Sequence, residues 1–167
     1  MNLNPNYLIF IPTILIFFAW YRLAEFLALR FTLRKREKAK RMKIIFSVWW
    51  KIAAADCAIY LVFRAFNTFV ATRVGEIFTA YYEKYETSSV EWLISFAEGA
   101  IKNPLSHPTC AIFELILIFF AAVLSYRITK RILYATHDVT LMESRNAALA
   151  VSIISAPWTF LLPTLYL

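Results

Sequence analysis

The chain has 167 residues, of which 60% are hydrophobic and 17% charged, and its formal net charge is +7. Its apolar residues come in long blocks, whereas a soluble domain is about half apolar and intersperses those residues with polar ones. The composition therefore excludes an ordinary soluble domain and predicts an integral membrane protein.

Four stretches are long and apolar enough to cross a bilayer core of about 30 Å, which takes about 20 residues in a helix. Helices are expected because lipid obliges the backbone to satisfy its own hydrogen bonds and no strand-length alternation is present. The predicted fold is all-α, a single polytopic domain over residues 1–167 with four transmembrane helices. The predicted spans are residues 7–31, 44–70, 109–126 and 147–167.

The first span is interpreted as a retained helix, because no basic segment precedes it and no small-residue cleavage pattern follows it. It leads into a basic inner loop, residues 32–43, and eight Lys and Arg residues lie between Arg30 and Lys43. A second basic inner loop is predicted at residues 127–145. By the positive-inside rule both loops face the cytoplasm or an organellar matrix, so both termini are expected outside. Anionic lipid headgroups are the expected contact of residues 30–43, and nucleic acid is not an expected partner.

The predicted outer loop, residues 71–108, follows the second span. Residues 73–86 keep apolar side chains at helical spacing, so the second helix is expected to continue beyond the membrane. A Ser88–Glu91 capping box then predicts a short amphipathic helix, ended by Asn103 and Pro104. Its length is too small to cross a bilayer, and its apolar stripe predicts a helix lying at the membrane interface, with Trp92, Leu93 and Phe96 as its anchors.

Ionisable residues inside the predicted spans are the strongest sign of a site. A charge at the bilayer centre costs at least about 2.5–3.5 kcal/mol on insertion scales, so such groups are expected to face inward and pair. Estimated depth predicts one network and a second ion pair, and an eleven-residue spacing predicts a polar stripe on the second helix. The network is Arg22, Glu25, Lys51 and Asp56, the pair is Arg64 and Glu114, and the stripe is Asp56 and Asn67.

The chain carries no nucleotide-binding, metalloprotease, dithiol or serine-hydrolase motif. Its two cysteines, Cys57 and Cys110, are predicted to lie at different depths and to remain unpaired. Its two histidines, His107 and His137, are predicted on opposite sides of the membrane, so they cannot share a metal. No catalytic residue, metal or cofactor is therefore predicted, and an enzyme is not expected.

Two functional hypotheses follow. The leading one is a non-enzymatic structural or assembly subunit of a multi-protein inner-membrane complex for secretion, conjugation, transport or energy conversion. The predicted charge pairs would fasten its helices to one another or to partner subunits, because the charges are matched in number. The alternative is a small oligomeric channel or transporter that uses the polar stripe around Asp56. Expected partners are other membrane subunits, lipid, or a second copy of the chain.

Overall fold

The computed structural model describes the backbone of residues 5–85, 91–136 and 138–161, and the side chains of 19–82, 84, 91–100, 103–136, 138–158 and 160–161. Every regular element in these ranges is helical, so the all-α class is confirmed. The α-helices are α1 (Pro5–Thr32), α2 (Lys38–Tyr85), α3 (Glu91–Lys102), α4 (Pro108–Tyr134) and α5 (Leu141–Ile154). Two 3₁₀ turns cover Pro104–Ser106 and Trp158–Leu161.

The connection between α1 and α2 is shorter than the predicted loop. α1 has 28 residues, about 42 Å at the usual helical rise, and it ends at Thr32, whose hydroxyl donates to the Ala28 carbonyl over 2.8 Å. α2 begins at Lys38, inside the predicted loop 32–43. Lys, Arg, Met and Ala favour helix, so the basic segment becomes the first turns of α2 rather than a loop.

α2 is a single helix of 48 residues that continues to Tyr85, which confirms its predicted extension beyond residue 70. Two described helices, α2 and α4, are long and apolar enough to cross a membrane. Only 33% of the most apolar window of each is buried. These two helices are candidate membrane spans by length and composition.

α5 corrects the predicted fourth span, residues 147–167. The helix starts earlier, at Leu141, because Thr140 and Glu143 form a capping box that satisfies free amide groups at its start. It ends at Ile154, so Pro157 lies beyond the helix and does not kink it, consistent with the poor fit of proline in a helix interior. Its 14 residues span about 21 Å, less than a bilayer core. Residues 162–167, including Pro163, lie outside the described part.

The chain forms two compact units. The first contains the described residues up to Ile59 together with Ala122–Ala156, and within it α1 and α5 pack against each other. Its apolar core draws on α1, the start of α2, the end of α4, and α5. The fully buried members include Leu29, Leu33, Ile45, Ile52, Leu133, Ala147 and Val151. The predicted single domain stays a prediction.

The second unit contains Tyr60–Ala121 and the described residues from Pro157 onward. The predicted short helix of the outer loop is present in it as α3, although the proposed cap at Ser88 lies outside the described residues. The Phe96 and Phe113 rings meet edge to face with centroids 5.5 Å apart, and the Cys110 thiol donates to the Phe96 carbonyl over 3.4 Å. These contacts hold α3 against the start of α4.

Candidate functional site

Buried polar side chains mark the candidate site. Glu25 and Glu114 have no exposed surface, Asp56 is 7% exposed and Asn67 is 1% exposed. Large apolar side chains cover the outside of the same helices, such as Phe66 at 51% and Phe119 at 63% exposed. The same helices therefore bury polar side chains and expose large apolar ones.

The first polar group, here called the acidic cluster, consists of the buried Glu25, Asp56 and Ser125 with the half-buried Arg22 and Ser155. Helix α1 supplies an ion pair between Arg22 Nη2 and Glu25 Oε1, 2.6 Å apart. The two residues are three positions apart, so the helix itself places both side chains on one face. The structure thus brings these two members of the predicted network together.

Helix α2 adds Asp56 to the acidic cluster. The Ser125 hydroxyl of α4 donates to Asp56 Oδ1 over 2.6 Å. The Ser155 hydroxyl, just after α5, lies 3.5 Å from the Ser125 hydroxyl and near the Asp56 carboxyl group, without a hydrogen bond to Asp56 Oδ2. A single carboxyl group therefore links α2 to α4 and to the end of α5, which is what a fastener between helices requires.

The carboxyl groups of Glu25 and Asp56 also contact each other. Among the described residues, no hydrogen-bond donor reaches Glu25 Oε2 or Asp56 Oδ2. Arg22 acts electrostatically on both carboxyl groups. One cation therefore faces two acids in a buried setting.

Lys51 is not part of this cluster, which corrects the predicted network. Its side chain is exposed, with Nζ 5.8 Å from the centroid of the Trp50 ring. Lys51 and Asp56 are five positions apart, or about 140° around a helix at 3.6 residues per turn, so they face different directions. The long lysine side chain can also extend its amine to the surface, whereas the shorter aspartate side chain cannot.

The second buried group pairs Asn67 of α2 with Glu114 of α4. Asn67 Nδ2 donates to Glu114 Oε1 over 2.6 Å. The predicted ion pair between Arg64 and Glu114 is not formed directly, because the half-buried Arg64 guanidinium instead lies 5.8 Å from the Phe160 ring centroid. Arg64 still exerts a coulombic effect on Glu114. The predicted stripe residues Asp56 and Asn67 are both buried, and each has a partner on α4.

The predicted interfacial anchors differ in exposure. Trp92 is 53% exposed, whereas Leu93 and Phe96 are half-buried. The face of α3 that is turned inward carries small residues, Ala97, Gly99 and Ala100. Trp92 is therefore the member of the three that is free to contact a surface, and the other two contribute to packing.

A third polar contact, between Arg36 and Glu143, was not anticipated from the sequence. Arg36 Nε and Nη2 donate to the two carboxylate oxygens of Glu143 over 2.9 and 2.5 Å. The hydrogen bond from Arg36, and further bonds from Thr140, hold the pKa of Glu143 down at about 2 against partial desolvation. The contact joins the α1–α2 connection to the start of α5. A Thr140–x–x–Glu143 capping signal was readable from the sequence, but the arginine partner was not.

The other residues that sequence reasoning missed are hydroxyl side chains. Ser125 and Thr129 are buried on α4, at 3% and 1% exposure, four residues apart on one face. Ser125 lies inside the predicted third span, and a polar residue in a span is the signal that could have identified it. Ser155 likewise lies inside the predicted fourth span, but its place just after α5 depends on where that helix ends.

The described residues contain no group of three or more His, Cys, Asp or Glu side chains that could hold a metal ion. His137 lies outside them, and the imidazole of His107 is exposed beside the Thr109 hydroxyl, 2.7 Å away. Cys57 and Cys110 are both free thiols. The contacts that the described residues make in this arrangement are hydrogen bonds and ion pairs.

Comparison with known proteins gives no relative: no protein-family model matches the chain, and neither do curated proteins or solved structures.

Proposed function

We propose that this chain is a non-enzymatic structural or assembly subunit of a multi-protein inner-membrane complex for secretion, conjugation, transport or energy conversion. The observation that carries the proposal is the distribution of side chains on α2 and α4. Their buried polar groups contact other helices of the same chain, whereas their outer surfaces are covered by large apolar residues. The exposed residues include Trp50, Leu61, Val62, Phe66, Phe69, Ile77, Ile112, Leu115, Ile116, Phe119 and Phe120.

The buried groups support fastening within the chain. Asp56 with Ser125 and Asn67 with Glu114 each join α2 to α4 through a hydrogen bond that accepts on a carboxylate. Bonds to charged groups contribute about 1.5–3 kcal/mol each, more than ordinary hydrogen bonds. With its polar groups engaged internally, the chain has aromatic and aliphatic side chains to offer to lipid and to neighbouring subunits. Aromatic residues are enriched where membrane and protein surfaces meet.

The proposed setting is a bacterial inner membrane or its organellar equivalent. α1, α2 and α4 are each long enough to cross a bilayer. Arg34, Lys35 and Lys38 are exposed at the connection between α1 and α2, where they would meet anionic headgroups. This orientation leaves both termini outside.

Photo-crosslinking tests the subunit role. A photoreactive amino acid replaces Trp50, Phe66 or Phe119, which are exposed, and Ile52, which is fully buried, serves as the matched control. In intact membranes, at least one exposed position should crosslink to another membrane protein with a fixed stoichiometry of the two proteins. The Ile52 position should crosslink only within the chain. Crosslinks to lipid alone from all three exposed positions would contradict the proposal.

The alternative function, a small channel or transporter around Asp56, has one observation in its favour: Asp56 Oδ2 is buried without a donor among the described residues. Purified chain in lipid vesicles, with and without Asp56→Asn, separates the two functions. Flux of protons or ions that Asp56→Asn abolishes would favour conduction. No flux in either sample, with crosslinked partners in cells, favours the subunit role.

A further inference from the structure

The contact between two buried carboxyl groups in the acidic cluster has a chemical consequence. Glu25 has no exposed surface and Asp56 only 7%, and their carboxyl groups contact each other. Two ionised carboxylates are acceptors only, so neither could donate to the other and their charges would repel. The contact becomes a hydrogen bond only when one of the two groups carries a proton.

The count of charges leads to the same conclusion. Arg22 is the cation that acts on both carboxyl groups. With both acids ionised, the cluster would hold a net charge of −1 in a low-dielectric setting, which is costly. One proton makes it neutral.

Hydrogen-bond geometry supplies a second observation. Asp56 Oδ1 is occupied by the Ser125 hydroxyl, but Asp56 Oδ2 and Glu25 Oε2 are buried with no donor among the described side chains. Buried acceptors of this kind are rarely left unsatisfied in folded proteins. A proton between the two carboxyl groups provides the missing donor.

We propose that Glu25 and Asp56 form a proton-binding site in which the two carboxyl groups share one proton, with Arg22 as the counter-ion of the remaining negative charge. The ligand is a proton, and the site is independent of the subunit role proposed above. Such a pair titrates as a unit, so its proton belongs to neither residue alone.

Infrared spectroscopy of the purified full chain at neutral pH tests the site. A protonated carboxyl group has a carbonyl stretching band that an ionised one lacks. The unaltered protein should show this band, and both Glu25→Gln and Asp56→Asn should abolish the component that belongs to the pair. Either substitution leaves one acid facing Arg22, which then ionises. Glu76→Gln removes an exposed carboxylate that pairs with Arg73, so it is the matched control and should leave the band unchanged.

Three outcomes would overturn the proposal. The first is absence of the band from the unaltered protein. The second is that the part of the band assigned to the Glu25–Asp56 pair remains in the Asp56→Asn variant, which would show that Glu25 is protonated without its neighbour. The third is loss of the band on addition of sodium or potassium ions, which would make the site a metal-cation site.

Isotope labelling provides a test that does not depend on whether the variants fold, because it uses the unaltered protein. Carbon-13 in the side-chain carboxyl groups of all Glu residues, or of all Asp residues, should shift the frequency of the band in the unaltered protein. The variant Glu114→Gln removes the contribution of the other buried glutamate to the signal. A band that neither label shifts would contradict the site.

The double variant Glu25→Gln with Asp56→Asn should also lose more stability than the sum of the losses of the two single variants, because Arg22 then has neither carboxylate. Additive losses of stability would contradict a charge that the two groups share.

Discussion

The Asn67 side-chain amide donates a hydrogen bond to Glu114, with 2.6 Å between Nδ2 and Oε1, and both side chains are buried. The contact joins α2 to α4 in the second unit. The number and depth of the charged residues had predicted Arg64 as the partner of Glu114, but Asn67 is the residue that bonds to it.

Removing the donor should therefore destabilise the protein. Asn67→Leu leaves the Glu114 carboxylate buried without its partner, which should lower the free energy of unfolding by about 1–3 kcal/mol. Replacing both residues with Leu should recover much of that loss, because two apolar side chains leave no polar group unsatisfied. Chemical unfolding in detergent, followed by helical circular dichroism, measures the difference.

Arg64→Gln serves as the comparison for this experiment. Since Arg64 makes no direct ion pair with Glu114, its replacement should cost less than Asn67→Leu. A charge swap between Arg64 and Glu114 should not restore stability. Full rescue by that swap would show that the ion pair dominates after all.

The contact between Arg36 and Glu143 predicts a dependence of stability on pH. The folded pKa of Glu143 is about 2, below its ordinary value of 4.5, so the carboxylate form is favoured by folding. The stabilisation is present above about pH 4.5 and is lost as the pH falls toward about 2. Glu143→Gln should lower the unfolding free energy by about 1 kcal/mol near neutral pH and much less near pH 2. Unfolding curves at several pH values provide the measurement.

The pair Arg73 and Glu76 is the matched control, because it is also an ion pair but is exposed on both sides. Glu76→Gln should change stability little at any pH, since exposed pairs contribute little. If Glu143→Gln lowers the free energy of unfolding equally at neutral and acidic pH, the pH dependence of stability does not come from Glu143.

The two glycines predict opposite effects of alanine. A Cβ at Gly99 would lie 2.8 Å from Cys110 Sγ and 3.2 Å from Ser106 Oγ, so Gly99→Ala requires its neighbours to move and should destabilise the contact between α3 and α4. A Cβ at Gly75 would lie 3.5 Å from Ala97 Cβ, an ordinary contact. Gly75→Ala should therefore stabilise α2, by up to about 1 kcal/mol from helix propensity.

Thermal unfolding of the two variants compares them directly. Adding Cys110→Ala to Gly99→Ala removes the nearest obstructing atom and should restore part of the lost stability. If Gly99→Ala proves as stabilising as Gly75→Ala, the close packing of α3 on α4 is wrong.

The proposed orientation predicts which surfaces an impermeant thiol reagent can reach. In a background with Cys57→Ala and Cys110→Ala, a cysteine replacing the exposed Leu105 should be labelled from outside intact cells, whereas one replacing the exposed Lys38 should not. Cysteines near Asn2 and Leu167 should be labelled as well, although those residues lie outside the described part of the structure. After the cells are opened, Lys38→Cys should react. Labelling at position 38 in intact cells would reverse the topology.

Features that depend on local sequence patterns could be predicted before the structure was known. Long apolar runs gave the helical class, helical spacing after residue 70 gave the extension of α2, and an apolar stripe followed by Asn103 and Pro104 gave α3. The ion pair of Arg22 with Glu25 belongs here too, because a three-residue separation fixes the neighbours on any helix. The boundaries of α5 were missed because the capping residues Thr140 and Glu143 outweighed the apolar run that follows them.

Tertiary structure alone decided the partners of the remaining buried groups. Asp56 and Ser125 are 69 positions apart, and Asn67 and Glu114 are 47 apart. Whether two such residues meet depends on the rotation of each helix about its axis and on the offset between helices, which packing of many apolar side chains sets together. Estimated depth and charge alone therefore placed Lys51 beside Asp56 and Arg64 beside Glu114. The packed helices instead turn Lys51 outward, and they bring Ser125 to Asp56 and Asn67 to Glu114.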